Sequence, residues 1–407
     1  MPVRRLLLGL LLLVLPVRGA EPLLILISLD AFRWDYLEKY AAETPRLRQL
    51  AAAGVRAERM ISCFPTLTFP NHYSIATGQR QEHHGIVNND FFDPVLGAAF
   101  SYKQRECAID SRWWGGEPIW ITAVKQGRRS ACMFWPGSEA TIGGVRPTYN
   151  MAFDDNLTSA QRVDQLLAWF SLPPDQRPSF GTLYLDAVDH AGHDFGPDAP
   201  ESAAAVREVD AAVDRLCVGL EARGFDAVNL VIVSDHGMTA TGPERNLFLD
   251  DLVDLNTVHV DCSGTQAGLR PVSGTPEELA ARLRRGLPAP LHVYLRSEVP
   301  ERHHYRDNPR IPPVLILADE GWRITTRDSF KRRKTPSRGE HGYDNQLVSM
   351  GATFIAHGPA FRRGVVVPPF ENIEVYNLLC AVLGLRPAPN DGYDRLARAA
   401  LLRPSGP

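Results

Sequence analysis

The chain has 407 residues, of which 44% are hydrophobic and 22% are charged, and its formal net charge is −3. These values are typical of a folded protein with one large or two smaller domains. The small acidic excess provides no basic face, so the composition argues against a polyanionic partner such as nucleic acid.

The N-terminal segment reads MPVRRLLLGLLLLVLPVRGAEP, with two arginines before an apolar run from Leu6 to Leu15. The run is too short for a relaxed transmembrane span and fits a secretory signal peptide over residues 1–20. An uncleaved membrane anchor is the alternative. No later segment approaches the length of a transmembrane span, so we expect an exported protein, periplasmic or secreted, with no membrane anchor in its mature chain.

Six cysteines follow in the mature part, at positions 63, 107, 132, 217, 262 and 380. Export permits disulfide bonds, and we expect them, although the spacing of the cysteines selects no particular pairing. The sequence contains no CxxC pair, so a thiolate zinc site is not indicated.

Predicted strands and helices alternate along the mature chain. The strands are predicted at 23–30, 130–137, 180–189, 229–237 and 351–361, and the helices at 45–53, 117–127, 159–170, 200–223 and 372–383. Continuous apolar runs such as LLILISLD are typical of parallel strands covered on both faces. In TPRLRQLAAAG, Thr44 is the expected helix cap and Pro45 the first helical residue. The alternation predicts a doubly wound, mostly parallel α/β sheet sandwiched by helices.

Residues 257–340 interrupt this alternation with short predicted strands, a helix around 275–286 and proline-rich turns. We interpret this stretch as a small subdomain inserted before the last core strand. Together with it, residues 21–407 are predicted to form a single domain.

The segment FPTLTFPNHYSIATG places Thr68 immediately before a short predicted helix, with Pro65 and Pro70 on either side and Gly78 at its end. One interpretation is that the threonine caps the helix by accepting a hydrogen bond from a free N–H group. The other is that its hydroxyl is a nucleophile, held where the free N–H groups of the first turn can receive an anion.

Acidic residues and histidines follow the predicted strands, at the edge of a parallel sheet where ligands bind. They are Asp30, Asp186, Asp189, His190, His193, Asp235, His236 and, near the C-terminus, His341. Each alone fits a turn or a cap, but together they bring carboxylates and imidazoles to one cleft. Mixed N/O ligation suits zinc, and two metal ions suit in-line displacement at phosphorus. Metal coordination would also lower the pKa of the Thr68 hydroxyl.

The motifs TFPNHYSIATG, HGIVNN, DHAGHDFGP, VSDHGM and EHGYDN, in this order, resemble the nucleotide pyrophosphatase/phosphodiesterase family of the alkaline phosphatase superfamily. The resemblance covers nearly all of the mature chain, which resembles the compact, single-domain bacterial type. It implies that 21–407 is one phosphodiesterase domain. It also implies hydrolysis of nucleotide phosphodiester and pyrophosphate bonds to nucleoside 5'-monophosphates, through a covalent intermediate on Thr68.

The resemblance also implies a role for individual residues. One zinc ion would be held by Asp30, Thr68, Asp235 and His236, and a second by Asp189, His193 and His341. The side chain of Asn89 would bind a phosphate oxygen. The nucleotide base would stack between Phe69 and Phe153, with Tyr149 as the alternative to Phe153 and Trp135 nearby. The remaining histidines, at 72, 83, 84 and 190, are expected to be structural or supporting.

Other functions remain possible on the sequence. The first alternative is a phospholipid or choline-phosphate diesterase of the same family, and the next is a phosphomonoesterase or phosphonate hydrolase of the superfamily. The WPG loop that contains Trp135 favours nucleotides over lipids. A non-catalytic binding relative would lack metal ligands, and none is missing. A sulfatase is disfavoured because no Cys/Ser-x-Pro-x-Arg sequence stands at the nucleophile.

Overall fold

The computed structural model describes residues 22–332 and 335–402, and the fold is built around one eight-stranded sheet. The predicted signal peptide at residues 1–20 lies outside the described residues. No helix in the described ranges is long and apolar enough to cross a membrane.

The strands of the described part of the chain include many short ones at loops. In chain order they are β1 (Leu23–Leu29), β2 (Val55–Ala57), β3 (Met60–Ile61), β4 (Asp90–Asp93), β5 (Ala98–Ser101), β6 (Ser130–Met133), β7 (Tyr149–Asn150), β8 (Phe180–Leu185), β9 (Val228–Val233), β10 (Thr239–Ala240), β11 (Asn246–Phe248), β12 (Val258–Cys262), β13 (Gln266–Pro271), β14 (Leu291–Leu295), β15 (Val314–Ala318), β16 (Arg323–Thr325), β17 (Gly339–Glu340), β18 (Phe354–His357), β19 (Val365–Val367) and β20 (Phe370–Glu371).

The α-helices of the described part lie between these strands. In chain order they are α1 (Tyr36–Lys39), α2 (Pro45–Ala53), α3 (Thr68–Thr77), α4 (Gln81–His84), α5 (Arg105–Ile109), α6 (Ile119–Lys125), α7 (Ser159–Phe170), α8 (Ala187–Phe195), α9 (Pro200–Glu221), α10 (Pro276–Arg284), α11 (Arg327–Arg332), α12 (Glu374–Leu383) and α13 (Arg395–Ala400).

The central sheet has the strand order β19-β2-β18-β9-β1-β8-β6-β7. Strand β1 runs parallel to β8 and β9, whereas β18 is antiparallel to β9. Side chains of β1 alternate between two hydrophobic cores, because successive residues of a strand point to opposite faces. Leu24 and Leu26 belong to one core, and Ile25 and Ile27 belong to the other. The predicted mostly parallel α/β sandwich is therefore confirmed.

A second, antiparallel sheet with the order β12-β13-β15-β14 lies within the stretch predicted as an insertion. Helix α10 packs against it, and a separate core includes Leu269, Leu283 and Ile316. The division of the chain into one catalytic domain with an insertion at 257–340 stays a prediction.

Two kinds of local prediction are wrong. The strands predicted at 130–137, 229–237 and 351–361 are shorter in the structure, where β6 ends at Met133, β9 ends at Val233 and β18 spans Phe354–His357. The strand predicted at 180–189 ends at Leu185, and helix α8 begins at Ala187, because the apolar run stops there and the polar residues that follow recur at helical spacing. The Thr44 side chain does not cap α2. Its hydroxyl instead donates to the carbonyl of Tyr40 at 2.9 Å. The side chain is therefore directed to the segment before α2 and not to the N–H groups of α2.

The expected disulfide bonds are absent, since all six cysteines are free and buried. Cys132 and Cys217 lie in the two different cores of the central sheet, where they pack as small apolar side chains. Burial raises the pKa of the Cys132 thiol to about 12 and that of Cys217 to about 11. These thiols therefore stay protonated and unreactive.

Candidate active site

Three neighbouring strands of the central sheet, β9, β1 and β8, are parallel and end at the same edge. Asp30 follows β1, and Asp235 and His236 follow β9. Helix α8 follows β8 and carries Asp189 and His193 four residues apart, on one helical face. The predicted aspartate and histidine ligands before residue 240 thus meet because their strands are adjacent.

His341 reaches the same edge by a different route, through the packing of β17 on α8. A Cβ atom on Gly339 of β17 would lie only 2.3 Å from the backbone oxygen of Gly192 in α8. The two backbones can approach this closely only because residue 339 is a glycine. His341 is the second residue after Gly339, and its Nε2 atom lies 3.2 Å from Nε2 of His193.

The predicted metal ligands form two adjacent groups of three. In the first, Nε2 of His236 lies 2.9 Å from Oδ2 of Asp235 and 3.6 Å from Oδ1 of Asp30. In the second, Oδ1 of Asp189 lies 3.5 Å from Nε2 of His193 and 3.5 Å from Nε2 of His341. The rings of His236 and His341 stack at 3.6 Å, which joins the two groups.

The three histidines share one hydrogen-bonding pattern. Each donates from Nδ1 to a backbone carbonyl, that of Gly339 for His193, of Thr66 for His341 and of Gly237 for His236, at 2.8–2.9 Å. With the proton on Nδ1, the lone pair of Nε2 faces the other ligands. Metal-binding histidines are oriented in this way by partners behind the ring.

One carboxylate oxygen of each aspartate is buried without a hydrogen-bond partner: Oδ1 of Asp30, Oδ1 of Asp189 and Oδ2 of Asp235. Burial raises the pKa of Asp30 well above its usual range, and the charges of Asp235 and Asp189 raise it further. Buried polar atoms without partners are costly, and a bound cation would compensate them. The donor set therefore fits metal ions that accept both oxygen and nitrogen ligands.

The two metal groups differ in the protonation of their side chains. Burial disfavours the charged form of Asp235, but the His236 and His72 imidazoles hold the pKa of that carboxyl well below its usual range. Burial, together with the neighbouring His236 and His193, lowers the pKa of His341 well below its usual value. A neutral His341 keeps its Nε2 lone pair available as a ligand.

Thr68 is the first residue of α3, and Leu67 occupies the N-cap position. The expectation that Thr68 sits at the N-cap is therefore wrong by one residue, because helical backbone geometry begins at Thr68 itself. Its side chain makes no capping hydrogen bond; Oγ1 lies 3.3 Å from Nε2 of His236 and lines the cleft. The hydroxyl is held beside the first metal group, at the start of α3, where the backbone N–H of Thr68 has no partner within the helix.

Asn89 also lines the cleft, next to Thr68. Its Oδ1 accepts a hydrogen bond from the backbone N–H of Phe69 at 3.0 Å. This bond fixes the orientation of the amide, so the donor Nδ2 is left to face the cleft.

The cleft has a volume of about 420 Å³ and is lined on one side by aromatic residues. Phe153 lines it with 48% of its surface exposed, and Phe69 lines it while packing against Trp114. Trp135 is buried and donates its indole N–H to the carbonyl of His72. Tyr149 is not among the described residues that line the cleft; its ring stacks on Trp169.

Two residues support the metal groups from behind: Tyr184, which was not predicted, and His72, which was expected to be a structural or supporting histidine. The hydroxyl of Tyr184 donates to Oδ2 of Asp30 at 2.6 Å, which leaves Oδ1 facing His236. His72 touches both Asp235 at 3.3 Å and the carbonyl of Thr68 at 2.9 Å. His72 lies one turn from Thr68 on α3, a spacing that places both side chains on the same helical face.

Backbone strain also marks the edge of the sheet. Among the described residues other than glycine, Ala31, Phe134 and His304 have positive φ angles, of 57°, 60° and 48°. Ala31 follows Asp30, and Phe134 follows β6 and lines the cleft. Such strained residues cluster at functional sites, where the surrounding structure holds them.

Comparisons with known proteins cover the whole of this site. A family model described as type I phosphodiesterase/nucleotide pyrophosphatase matches residues 24–344, which include every residue of the two metal groups. An uncharacterized pyrophosphatase/phosphodiesterase of Schizosaccharomyces pombe is 40% identical over 380 residues, covering 90% of this chain and 78% of that protein. Ectonucleotide pyrophosphatase/phosphodiesterase family member 1 of Mus musculus is 38% identical, covering 96% of this chain but only 44% of the mouse protein.

Solved structures of related proteins share the fold. Murine ectonucleotide pyrophosphatase/phosphodiesterase 5 has a TM-score of 0.87 and 34% identity, covering 93% of this chain and 100% of that one. That structure is of an inactive threonine-to-alanine variant in complex with AMP. The human protein of the same name also has a TM-score of 0.87, with 93% of this chain and 99% of that one covered.

Proposed function

The chain belongs to the type I phosphodiesterase/nucleotide pyrophosphatase family of the alkaline phosphatase superfamily, and on this premise we propose that it hydrolyses nucleotide phosphodiester and pyrophosphate bonds. The substrates are nucleotides and their derivatives, and the products include nucleoside 5'-monophosphates. The reaction passes through a covalent nucleotidyl intermediate on Thr68 and requires two zinc ions.

The observation that carries this proposal is the state of the six-residue ligand set. Three imidazoles turn Nε2 towards the site and three carboxylates each have an oxygen without a hydrogen-bond partner, all beside the hydroxyl of Thr68. One zinc ion would be held by Asp30, Asp235, His236 and Thr68, and the other by Asp189, His193 and His341. When bound, the ions neutralise phosphate charge and lower the pKa of the threonine hydroxyl.

The residues of the chain supply the nucleophile and the hydrogen-bond donors of the reaction. The Oγ1 atom of Thr68 forms a bond to phosphorus while the bond to the leaving oxygen breaks. Nδ2 of Asn89 and the backbone N–H of Thr68 donate to the phosphate oxygens, where charge develops. Water then breaks the bond between phosphorus and Thr68, which releases the nucleoside monophosphate and restores the hydroxyl.

The nucleoside is bound at the aromatic end of the cleft. We assign the base to the space between Phe69 and Phe153, since both rings line the cleft beside the reacting hydroxyl. A complex of a structural relative with AMP, described for an inactive threonine-to-alanine variant, supports both the nucleotide and the role of a threonine.

The experiment that tests the proposal compares wild type with Thr68→Ala and Thr68→Ser on the p-nitrophenyl ester of thymidine 5'-monophosphate. Thr68→Ala should lose nearly all turnover, whereas Thr68→Ser keeps a hydroxyl without the χ1 restriction of the methyl group and should retain part of it. Because Thr68 makes no capping bond, its loss should change the free energy of unfolding by less than about 0.5 kcal/mol.

Two further measurements sharpen this test. Rapid quenching with radiolabelled nucleotide should trap label on wild type at Thr68, and substantial turnover by Thr68→Ala would rule out the covalent route. A preference for p-nitrophenyl phosphorylcholine over the nucleotide ester would favour the phospholipid alternative instead.

We also propose that the chain is exported and acts outside the cytoplasm as a single catalytic domain over 21–407. The support is the signal-like composition of residues 1–20 and the ectonucleotide relatives. Expression with the full N-terminal segment, followed by N-terminal sequencing of the exported protein, tests both the export and the cleavage site.

A further inference from the structure

Phe153, the most exposed ring of the cleft, lies in the loop between β7 and α7. An exposed aromatic residue on a loop would ordinarily be free to turn away from the cleft. Its backbone N–H, however, donates to Oε1 of Glu139 at 3.0 Å, and its ring meets that of Phe134 edge-on at 5.0 Å. The ring is therefore held from one side while the other side stays open.

A buried arginine lies on the held side of this ring. The guanidinium carbon of Arg162 is 5.1 Å from the centre of the Phe134 ring and 5.8 Å from that of Phe153. Arg162 is only 3% exposed although it is charged. Cations over aromatic faces attract the ring electrostatically, and more strongly where water is excluded.

The polar edges of the same guanidinium bind the two segments that flank the cleft. Nε donates to the carbonyl of Leu157, in the loop that carries Phe153, at 2.9 Å. Nη1 donates to the carbonyl of Tyr184 at 3.1 Å and to Oδ2 of Asp186 at 3.0 Å, both at the end of β8. Asp186 lines the cleft three residues before the metal ligand Asp189.

A buried ion pair is a costly way to stabilise a fold, and packed apolar residues of similar volume often do as well. What a flat guanidinium offers, and an apolar side chain does not, is a fixed relation between the loop, the strand end and two rings. These fixed contacts of Arg162 set the distance between the rings of Phe134 and Phe153 and the two metal groups.

We propose that Arg162 is a positioning residue that holds Phe153 in the orientation needed to stack on the nucleotide base. It touches neither the phosphate nor the base, and it acts on affinity for the nucleoside half of the substrate through Phe153. The inference rests on the proposed nucleotide function.

The test uses two esters with the same scissile bond and the same p-nitrophenolate leaving group. One is the p-nitrophenyl ester of thymidine 5'-monophosphate, and the other is methyl p-nitrophenyl phosphate, which has no base. Arg162→Met should lower kcat/KM for the nucleotide ester by about tenfold, mainly through KM, as expected for one lost aromatic stacking interaction. It should change kcat/KM for the methyl ester by less than about twofold.

The matched control is Arg215→Met. Arg215, on α9, pairs with a carboxylate of α7 at the surface, at 2.8 Å, and contacts no aromatic ring of the cleft. This variant should leave both esters unaffected. If Arg162→Met does not fold, Arg162→Lys can be used instead. Lysine keeps the positive charge beside Asp186 but lacks the planar guanidinium with its fixed set of donors. Arg162→Lys should show a smaller loss, again with the nucleotide ester alone.

A double-mutant cycle with Phe153→Ala separates positioning from a general structural fault. Once Phe153 is removed, Arg162→Met should have no further effect on the nucleotide ester, because the ring through which it acts is gone. Multiplying effects in the double variant, or equal losses on both esters, would overturn the inference.

Binding of AMP to the zinc-loaded protein, measured by calorimetry, gives the same comparison without turnover. Arg162→Met should weaken AMP binding about tenfold in wild type and not at all in Phe153→Ala. If wild type binds AMP but fails to cleave the ester, the proposed function is wrong while this inference is still tested. If wild type does not bind AMP, Phe153 has no nucleotide base to stack on and the inference about Arg162 is wrong.

Discussion

Individual histidines of this protein differ in function according to which ring nitrogens are already bonded. His236 and His341 donate from Nδ1 to backbone carbonyls and keep Nε2 for the metal groups. His84 uses both nitrogens within the core, since Nε2 bonds to the Ser74 hydroxyl and Nδ1 accepts from the N–H of Ile86. The same residue type is therefore a proposed metal ligand in one place and a structural group in the other.

Replacement of Asn89 separates its two hydrogen-bonding roles. Asn89→Ala should lower kcat by about 10²–10³, the cost of removing one donor to a developing oxyanion. Asn89→Asp should be at least as damaging, because a carboxylate can still accept from the N–H of Phe69 but has no donor for phosphate. Unfolding curves serve as the control, and Asn89→Ala should lose only the stability of one hydrogen bond, about 0.5–1.5 kcal/mol. An Asp variant with wild-type kcat would remove Asn89 from the phosphate site.

His84 predicts a specific dependence of stability on pH. Burial lowers its pKa to about 3, whereas an unfolded histidine has a pKa of about 6.5. Below about pH 6.5, His84 is protonated in the unfolded chain but stays neutral in the folded protein. It therefore lowers the free energy of unfolding progressively as the pH falls towards 3. The contribution approaches about 1.4 kcal/mol per pH unit.

The variant His84→Asn keeps an acceptor for the N–H of Ile86 but cannot titrate. Denaturant unfolding at pH 7, 6 and 5, with equal zinc in both proteins, should show a shallower loss of stability in the variant. Parallel pH profiles would mean that His84 is protonated in the folded protein after all.

At the scale of elements, the site depends on one close contact between β17 and α8. The backbones meet at Gly339 and Gly192, and the carbonyl of Gly339 also accepts from Nδ1 of His193. This contact orients His193 and places His341 beside it. The second metal group is thus assembled from segments about 150 residues apart in the chain.

Gly339→Ala should therefore weaken the metal bound by Asp189, His193 and His341. The added Cβ would meet the oxygen of Gly192 at 2.3 Å, so the strand must move away from the helix. Loss of a partner behind a ligand typically costs 10–100-fold in metal affinity. Metal analysis after gel filtration should find about one zinc per chain instead of two. Gly286→Ala, where a Cβ meets nothing within 4 Å, is the control and should retain both.

At the scale of the whole molecule, the metal groups join segments from nearly the full length of the chain. Asp30 follows the first strand of the central sheet, and His341 follows a strand outside that sheet. A ligand that binds only the folded state stabilises it, by about 2.7 kcal/mol at a concentration one hundred times the Kd. Zinc should therefore act on stability as well as on turnover.

Removal of metal by a chelator should abolish activity and lower Tm, and zinc should restore both. The inactive variant Thr68→Ala retains six of the proposed ligand side chains, so zinc should still raise its Tm. This control separates binding from chemistry. Full activity in a sample verified to be free of metal would refute the two-zinc proposal.

Much of the fold follows from short segments of the sequence. The apolar run of β1 predicted a parallel strand covered on both faces, and Leu24 and Ile25 do lie in opposite cores. The polar residues after the strands predicted a cleft, and parallel neighbours bring Asp30 and Asp235 together there. Such predictions succeed because strand burial and strand direction are properties of consecutive residues.

Only the tertiary structure decided the remaining features. The hydrogen bonds that orient His341, Asn89 and Arg162 join residues far apart in the chain, and no local spacing encodes them. All six cysteines are free and buried, and the spacing of the cysteines in the sequence did not indicate this. Thr68 begins its helix rather than capping it, since the backbone angle of one residue depends on the surrounding packing. Sequence periodicity thus determined the sheet and the edge where ligands collect, while long-range contacts determined which atoms at that edge are free to act.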